Sequence, residues 1–239
     1  VTAIGDKAFL RCSDITSLEI PDTVTAIGRL ALADLNVNTI TIPDSVETLG
    51  EEVLSGATMT SVTLSSKLTT IPDRAFNSCP KLREVTIPDS VTYIGKYAFE
   101  KCGQLKKATI GTGLYRVQPY AFSECTNLSK VEVREGNGVL GQAMFDKCES
   151  LKEFTIPSSM TNFTKLFDSN PYIETITIKC ARVDAAAFTN AINLKNINFS
   201  PNLTEIGGSA FKGCTGIKTM DLGANLKTVG ASAFESCTG

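Results

Sequence analysis

The chain contains no histidine and no tryptophan in its 239 residues. Without histidine there is no Ser-His-Asp triad, no Cys-His pair, no H-E-x-x-H zinc site and no His/Cys/Cys zinc of the deaminase kind. An excess of one charge sign is missing too, since 23 Lys+Arg stand against 25 Asp+Glu for a formal net charge of −2. Nucleic-acid and membrane-surface proteins draw affinity from clustered cations, so neither partner is expected. Long apolar runs are absent, which predicts no membrane insertion in this segment, and because Val1 opens directly in a patterned stretch no signal peptide is expected within it. The hydrophobic fraction of 42% is nonetheless ample for a buried core.

The main positive feature is an internal repeat. Leu68 to Ser90 (LTTIPDRAFNSCPKLREVTIPDS) and Val91 to Gly113 (VTYIGKYAFEKCGQLKKATIGTG) follow one 23-residue pattern, V-T-x-I-G-x-x-A-F-x-x-C-x-x-L-x-x-I-x-I-P-x-S. Units of 20 to 23 residues start at 1, 24, 46, 68, 91, 114, 137, 160, 180 and 203, with a partial one from 226. One column fixes the register: Phe9, Leu32, Leu54, Phe76, Phe99, Phe122, Phe145, Phe167, Phe188, Phe211 and Phe234. The second half of each unit, such as Leu82-x-x-Val85-x-Ile87, alternates as a half-buried strand does. The first half, such as Ile94-Gly95-x-x-Ala98-Phe99-x-x-Cys102-x-x-Leu105, spaces its apolar residues by three and four and predicts a short helix or 3₁₀ turn. The expected fold is therefore an α/β, strand-rich repeat solenoid, a right-handed leucine-rich-repeat superhelix with a parallel sheet on one face and short helices or 3₁₀ turns on the other. It forms a single domain over residues 1–239, and ten coils at roughly 4.8 Å give a sheet on the order of 45 Å long. With no capping sequence at either end, the chain is expected to be an excerpt of a longer repeat protein.

The stretches Ala98-Phe99-x-x-Cys102-x-x-Leu105 and Ile87-Pro88-x-Ser90-Val91-x-x-Ile94-Gly95 resemble the BspA-like, or Treponema-type, leucine-rich repeats, and the resemblance covers essentially the whole chain. It implies a bacterial cell-surface or secreted protein that works in adhesion, with host or neighbouring-cell proteins as partners, extracellular matrix proteins among them. The function expected is that of a non-enzymatic binding module. The competing expectation is a spacer solenoid with no ligand of its own.

Seven of the eight cysteines (Cys12, Cys79, Cys102, Cys125, Cys148, Cys214 and Cys237) share one column in which other coils carry Leu35, Ala57, Asn170 and Ala191. Leu and Ala as alternatives predict a small apolar plug made of reduced thiols, with disulfides between adjacent coils and a metal site as the competing readings. Cys180 lies outside the column and is expected in the core. No cofactor and no metal are expected. Gly5, Gly28, Gly50, Gly95, Gly207 and Gly230 recur at the repeat period and are expected to mark a turn in each coil, not a phosphate loop.

Surface recognition has one candidate. Coils five and six hold Tyr93, Tyr97, Tyr115 and Tyr120, four of the five tyrosines, together with Lys106, Lys107, Lys130 and Arg134. Tyr97 and Tyr120 share a column with Lys7, Glu52 and Arg74, so that column is expected to face solvent. Tyrosine beside cations has the composition of a protein-binding hot spot, whereas the purely structural reading makes the tyrosines a cover for the edge of the core. The outward strand column is rich in threonine (Thr41, Thr63, Thr86, Thr109, Thr155, Thr177) and carries no aromatic residue, which argues against a sugar platform. The short eighth unit, with Asn170-Pro171 in place of the usual loop, is expected to distort the stack locally.

Overall fold

In a computed structural model, described for residues 1–135, 138–167 and 170–239, the repeat winds into a stack of coils, most of them built from one longer strand, one two-residue strand and a run of turns. The longer strands pair in parallel. Thr39–Thr41, Ser61–Thr63, Glu84–Ile87, Lys107–Ile110 and Lys130–Val133 form one sheet, and Glu153–Ile156, Thr175–Ile178 and Asn196–Phe199 form another. Register follows the repeat, for example Thr86↔Thr109 and Ile87↔Ile110. Alternation does the rest: Val85, Ile87, Ala108 and Ile110 point inward and are buried, while Glu84 and Thr86 point out.

A second ladder, which the sequence reading did not foresee, comes from the V-T-x-I stretch that precedes each glycine column. Ala3–Ile4, Ala26–Ile27 and Thr48–Leu49 pair in parallel, as do Thr70–Ile71, Tyr93–Ile94 and Arg116–Val117, and then Arg182–Val183, Glu205–Ile206 and Thr228–Val229.

The expected helices are not there: among the described residues the A-F-x-x-C segment is a run of turns. In the first coil the N–H groups of Ala8, Leu10 and Cys12 donate to the carbonyls of Gly5, Lys7 and Phe9, three residues back, at 3.1 to 3.2 Å. The alternate N–H groups of Lys7, Phe9 and Arg11 donate to Arg29, Ala31 and Ala33 of the next coil at 2.8 to 3.0 Å. Every fourth residue takes a positive φ, 58° at Lys7 and 59° at Arg11, then 59° at Tyr97 and 62° at Lys101. This turn ladder repeats every four residues, so it places apolar side chains at spacings of three and four just as a helix does. Periodicity alone cannot separate the two, and what decides is that half of the amides are committed to the neighbouring coil.

Stacking makes one continuous interior. Phe76, Phe99 and Phe122 are fully buried, with ring centroids 5.0 and 4.9 Å apart and ring planes 1° and 7° from parallel. The stack resumes through Phe188, Phe211 and Phe234 at 5.2 and 5.3 Å.

The cysteine column is more than an apolar plug. All eight cysteines are free. The thiols of Cys102, Cys125, Cys148 and Cys214 donate to the backbone carbonyls of Phe76, Phe99, Phe122 and Phe188 in the preceding coil at 3.0 to 3.1 Å. In coil eight the buried Asn170 takes over that role, its amide donating to the Phe145 carbonyl at 2.8 Å while its oxygen accepts the Tyr172 N–H at 2.9 Å. The column therefore takes a side-chain donor as well as a purely apolar plug such as Leu35 or Ala57, which explains how asparagine alternates with cysteine in a dry site. Burial pushes the thiols of Cys79 and Cys125 up, and those of Cys148 and Cys214 up to about 12, so they stay protonated and unreactive at neutral pH. Asn170→Leu is expected to destabilise the chain by about 1–3 kcal/mol through the lost bonds. Asn170→Cys should recover part of that loss in a urea titration. Equal midpoints for the two variants would remove the donor role.

The glycine column also has a different reason from the expected turn. None of Gly28, Gly50 or Gly95 has a positive φ. A Cβ on Gly50 would lie 2.3 Å from the Arg29 backbone nitrogen, and one on Gly95 would lie 2.5 Å from that of Asp73. Close approach of adjacent coils, not turn geometry, is what glycine serves here.

Among the described residues the longer-strand ladder breaks once, at a seam. No pairing joins Lys130–Val133 to Glu153–Ile156, and Val131 and Val133 are only half-buried where Ala108 and Ile110 are fully buried. An open groove of ≈ 610 Å³ lies over the seam, lined by Lys130, Glu132, Val133, Glu153, Phe154 and Lys179 among others. Just beyond it the repeat shortens as the eighth unit predicted. Partners are 23 apart at Val139↔Asn162, 22 at Phe154↔Ile176, 21 at Ile176↔Ile197 and again 23 at Arg182↔Glu205. Asp184, which stands in the glycine column, accepts the Phe163 N–H at 2.8 Å across the shortened pair.

Candidate protein-binding face

The tyrosines and the cations grouped by the sequence reading fall on different faces. Lys107 and Lys130 are register partners on the longer strands, with Glu132 bridging them at 3.5 and 2.8 Å. The Lys130 ammonium holds the Glu132 carboxyl below the usual carboxylate range. Arg134 reaches back to Asp89 at 3.4 Å, and the Thr112 N–H together with that guanidinium lowers the Asp89 carboxyl. Three of the four candidate cations thus lie beside two carboxylates, Glu132 being shared, and exposed pairs of this kind contribute roughly 0–1 kcal/mol. Lys106 is exposed just before the strand.

Tyr93 lies in a two-residue strand between Thr70 and Arg116. Its hydroxyl is pushed up by partial burial and by the nearby Asp73 carboxylate. Tyr115 immediately precedes the next short strand and is 64% exposed. Tyr97 and Tyr120 stand one corner further on, at the positive-φ position of the turn ladder, and the inter-coil stacking that aligns the phenylalanines inside also aligns these two outside. Their ring centroids are 5.5 Å apart and 17° from parallel. Both are half-buried.

Two cations complete the group. The Arg74 guanidinium lies 5.2 Å from the Tyr97 ring centroid and the Lys96 ammonium 4.8 Å from it. Arg74 occupies the tyrosine column one coil earlier, so Arg74, Tyr97 and Tyr120 make a single stack of planar groups. The sequence signal for Arg74 was its place in that column, whereas the strand cations owed their place in the candidate set only to chain proximity.

The outward residues of the longer strands are largely occupied with one another. Asn196 donates to Thr175 at 3.4 Å and Asn198 to Thr177 at 3.2 Å, while Thr109 is buried in its row. No aromatic residue stands in these rows among the described residues. Among the described residues no group of three or more His, Cys, Asp or Glu side chains is placed to hold a metal ion, and no helix is long and apolar enough to cross a membrane.

Comparison with known proteins follows the same pattern. The family described as the BspA type leucine rich repeat region matches in six copies, across residues 2–129, 52–173 and 116–239. Among solved structures, the chain is similar to a leucine-rich repeat protein from Bacteroides ovatus ATCC 8483, with 22% identity, 99% of this chain and 80% of that one covered, and a TM-score of 0.57. It is also similar to the leucine rich repeat protein of T. pallidum, with 20% identity, 86% and 89% covered, and a TM-score of 0.58. Both likenesses are likenesses of fold. No curated protein matches the chain.

Proposed function

Because the chain belongs to the BspA-type leucine-rich repeat family, we propose that it is a non-enzymatic protein-binding module of a bacterial cell-surface or secreted protein, attaching to host or neighbouring-cell protein. Solenoids of this kind work by presenting an extended surface whose variable positions carry recognition, and leucine-rich repeats mediate protein–protein binding. The observation that carries the choice of surface is the Tyr97–Tyr120 pair, stacked at 5.5 Å and capped by Arg74 and Lys96. Tyrosine offers rigid apolar area with a polar tip, and its ordering is here already supplied by stacking, which lowers the entropy lost on binding. Tyr93 extends the same region around the corner.

The test is immobilised binding of the purified chain to a panel of matrix proteins at ~0.15 M salt, where weak charge-driven sticking is screened. Tyr97→Ala/Tyr120→Ala is expected to lose about 2 kcal/mol or more of binding, roughly thirtyfold in Kd, while its unfolding midpoint stays close to that of the parent. Binding retained by the folded double variant would remove this face from the account. No binding to any panel member would favour a spacer solenoid.

A further inference from the structure

We propose that the Arg74–Tyr97–Tyr120 stack, with Lys96 beside it, recognises an acidic polypeptide segment, so that the partner presents Asp or Glu side chains to the two cations and packs against the two rings. The inference rests on the reading of the tyrosine face above and adds the chemistry of what that face takes. Its starting point is how this protein treats its surface cations. On the turn face, Arg11 pairs with Asp34 at 3.6 Å, Arg29 with Glu52 at 2.7 Å, Lys147 with Glu124 at 3.3 Å and Lys212 with Glu235 at 2.9 Å, while others such as Lys7 and Lys101 have no carboxylate within 4.0 Å among the described residues. On the longer-strand face, Glu132 meets both Lys107 and Lys130, and Arg134 meets Asp89 two coils away. Arg74 and Lys96 are set apart by what they touch. Both are exposed, neither has a carboxylate within 4.0 Å among the described residues, and both lie against the face of Tyr97.

The nearby acids are engaged elsewhere. Asp73 accepts the Lys96 backbone N–H through Oδ1 at 2.8 Å, and Glu100 accepts the Asn77 side-chain amide at 2.7 Å. Arg116, exposed on the short strand beside Tyr93, adds a third cation at the corner. A guanidinium and an ammonium held over a ring keep their full charge and most of their hydrogen-bond donors, because a π-face accepts none of them. What such a group lacks is an anion. A carboxylate meets it with charge-assisted bonds, bidentate at the guanidinium, while the flanking rings give the partner's apolar atoms a surface to cover. A polysulfated sugar would meet the same cations with its sulfates, and it is the competing ligand that would overturn this reading.

The probes are a short Glu- and Asp-rich peptide, a Lys-rich peptide of equal length and a heparin fragment, each labelled and titrated by fluorescence anisotropy at ~0.15 M salt. The acidic peptide is expected to bind saturably and the Lys-rich one not at all. Arg74→Glu/Lys96→Glu should weaken the acidic peptide by about tenfold or more. Lys218→Glu/Lys227→Glu, with the same change in net charge placed far along the solenoid, should leave it unchanged. No saturable binding of the acidic peptide, or an equal loss in both charge-reversed variants, would overturn the inference. Preferential binding of heparin through the same two cations would also overturn it in favour of a polysaccharide. If Tyr97→Ala/Tyr120→Ala loses a matrix protein that Arg74→Glu/Lys96→Glu still binds, the acidic-segment inference fails and the tyrosine face stands. If that matrix protein is kept by the tyrosine variant as well, the face itself falls.

Discussion

Phe99→Ala is expected to lower stability by about 3–5 kcal/mol, among the largest effects available to a single substitution in this chain. The ring is fully buried and stacked on both sides, 5.0 Å from Phe76 and 4.9 Å from Phe122. In a solenoid each coil contacts only its neighbours, so one truncation weakens two interfaces at once. Phe234, half-buried and stacked only on Phe211 at 5.3 Å, loses one interface when truncated. Phe234→Ala should therefore cost less than half as much. Urea titrations of the two variants decide the matter, and equal costs would mean that the stack does not hold the coils together.

Gly50→Ala is the second large effect, expected at about 1–3 kcal/mol of overpacking. A methyl there meets the Arg29 nitrogen at 2.3 Å and the Gly28 carbonyl carbon at 2.5 Å, and both are backbone atoms that cannot step aside without separating two coils. The matched control is Gly103, where the nearest atom to an added Cβ is the Thr126 hydroxyl at 3.9 Å. Gly103→Ala should be neutral or slightly stabilising, since it only restricts the unfolded chain. Thermal midpoints compare the two directly. Pro72, Gln118 and Asp184 occupy the same column in other coils, so the stack adapts where its neighbours evolved with it, and a lone Gly50→Ala has no such adjustment. A drop at Gly103 as large as that at Gly50 would show that flexibility, not coil contact, is what these glycines provide.

The repeat made the stacking, the phenylalanine column and the strand alternation of Val85, Ile87, Ala108 and Ile110 legible, because a coil that cannot bury its own apolar stripe must share it with a neighbour. The turn ladder was misread as helix for a specific reason. Ala98, Phe99 and Cys102 are spaced as on a helix, and the left-handed residues that distinguish the ladder, Tyr97 and Lys101, are not glycines and so gave no signal. The thiol ladder was half legible: Leu35 and Ala57 pointed to a small apolar site, but Asn170 in the same column was the clue to a hydrogen-bond donor. The seam was not legible, since Val131 and Val133 keep the strand pattern and nothing in the repeat marks the lost pairing with Glu153–Ile156. At the candidate face, the column shared by Tyr97 and Tyr120 foretold their stacking. Chain proximity grouped Lys107, Lys130 and Arg134 with the tyrosines, and the structure places these three on the strand side beside carboxylate partners.

Coils held to their neighbours by the turn ladder, with the longer-strand ladder broken between Lys130–Val133 and Glu153–Ile156, are tested most directly by amide hydrogen exchange of the native chain. The amides of Phe76, Phe99, Phe188 and Phe211, which donate to the following coil at 2.7 to 2.8 Å, should be among the slowest to exchange. Those of Glu153–Ile156, facing the seam, should exchange faster than those of Thr175–Ile178, which are paired in the same sheet. Rapid exchange along the phenylalanine column, or equal protection on the two strands, would contradict the stack described.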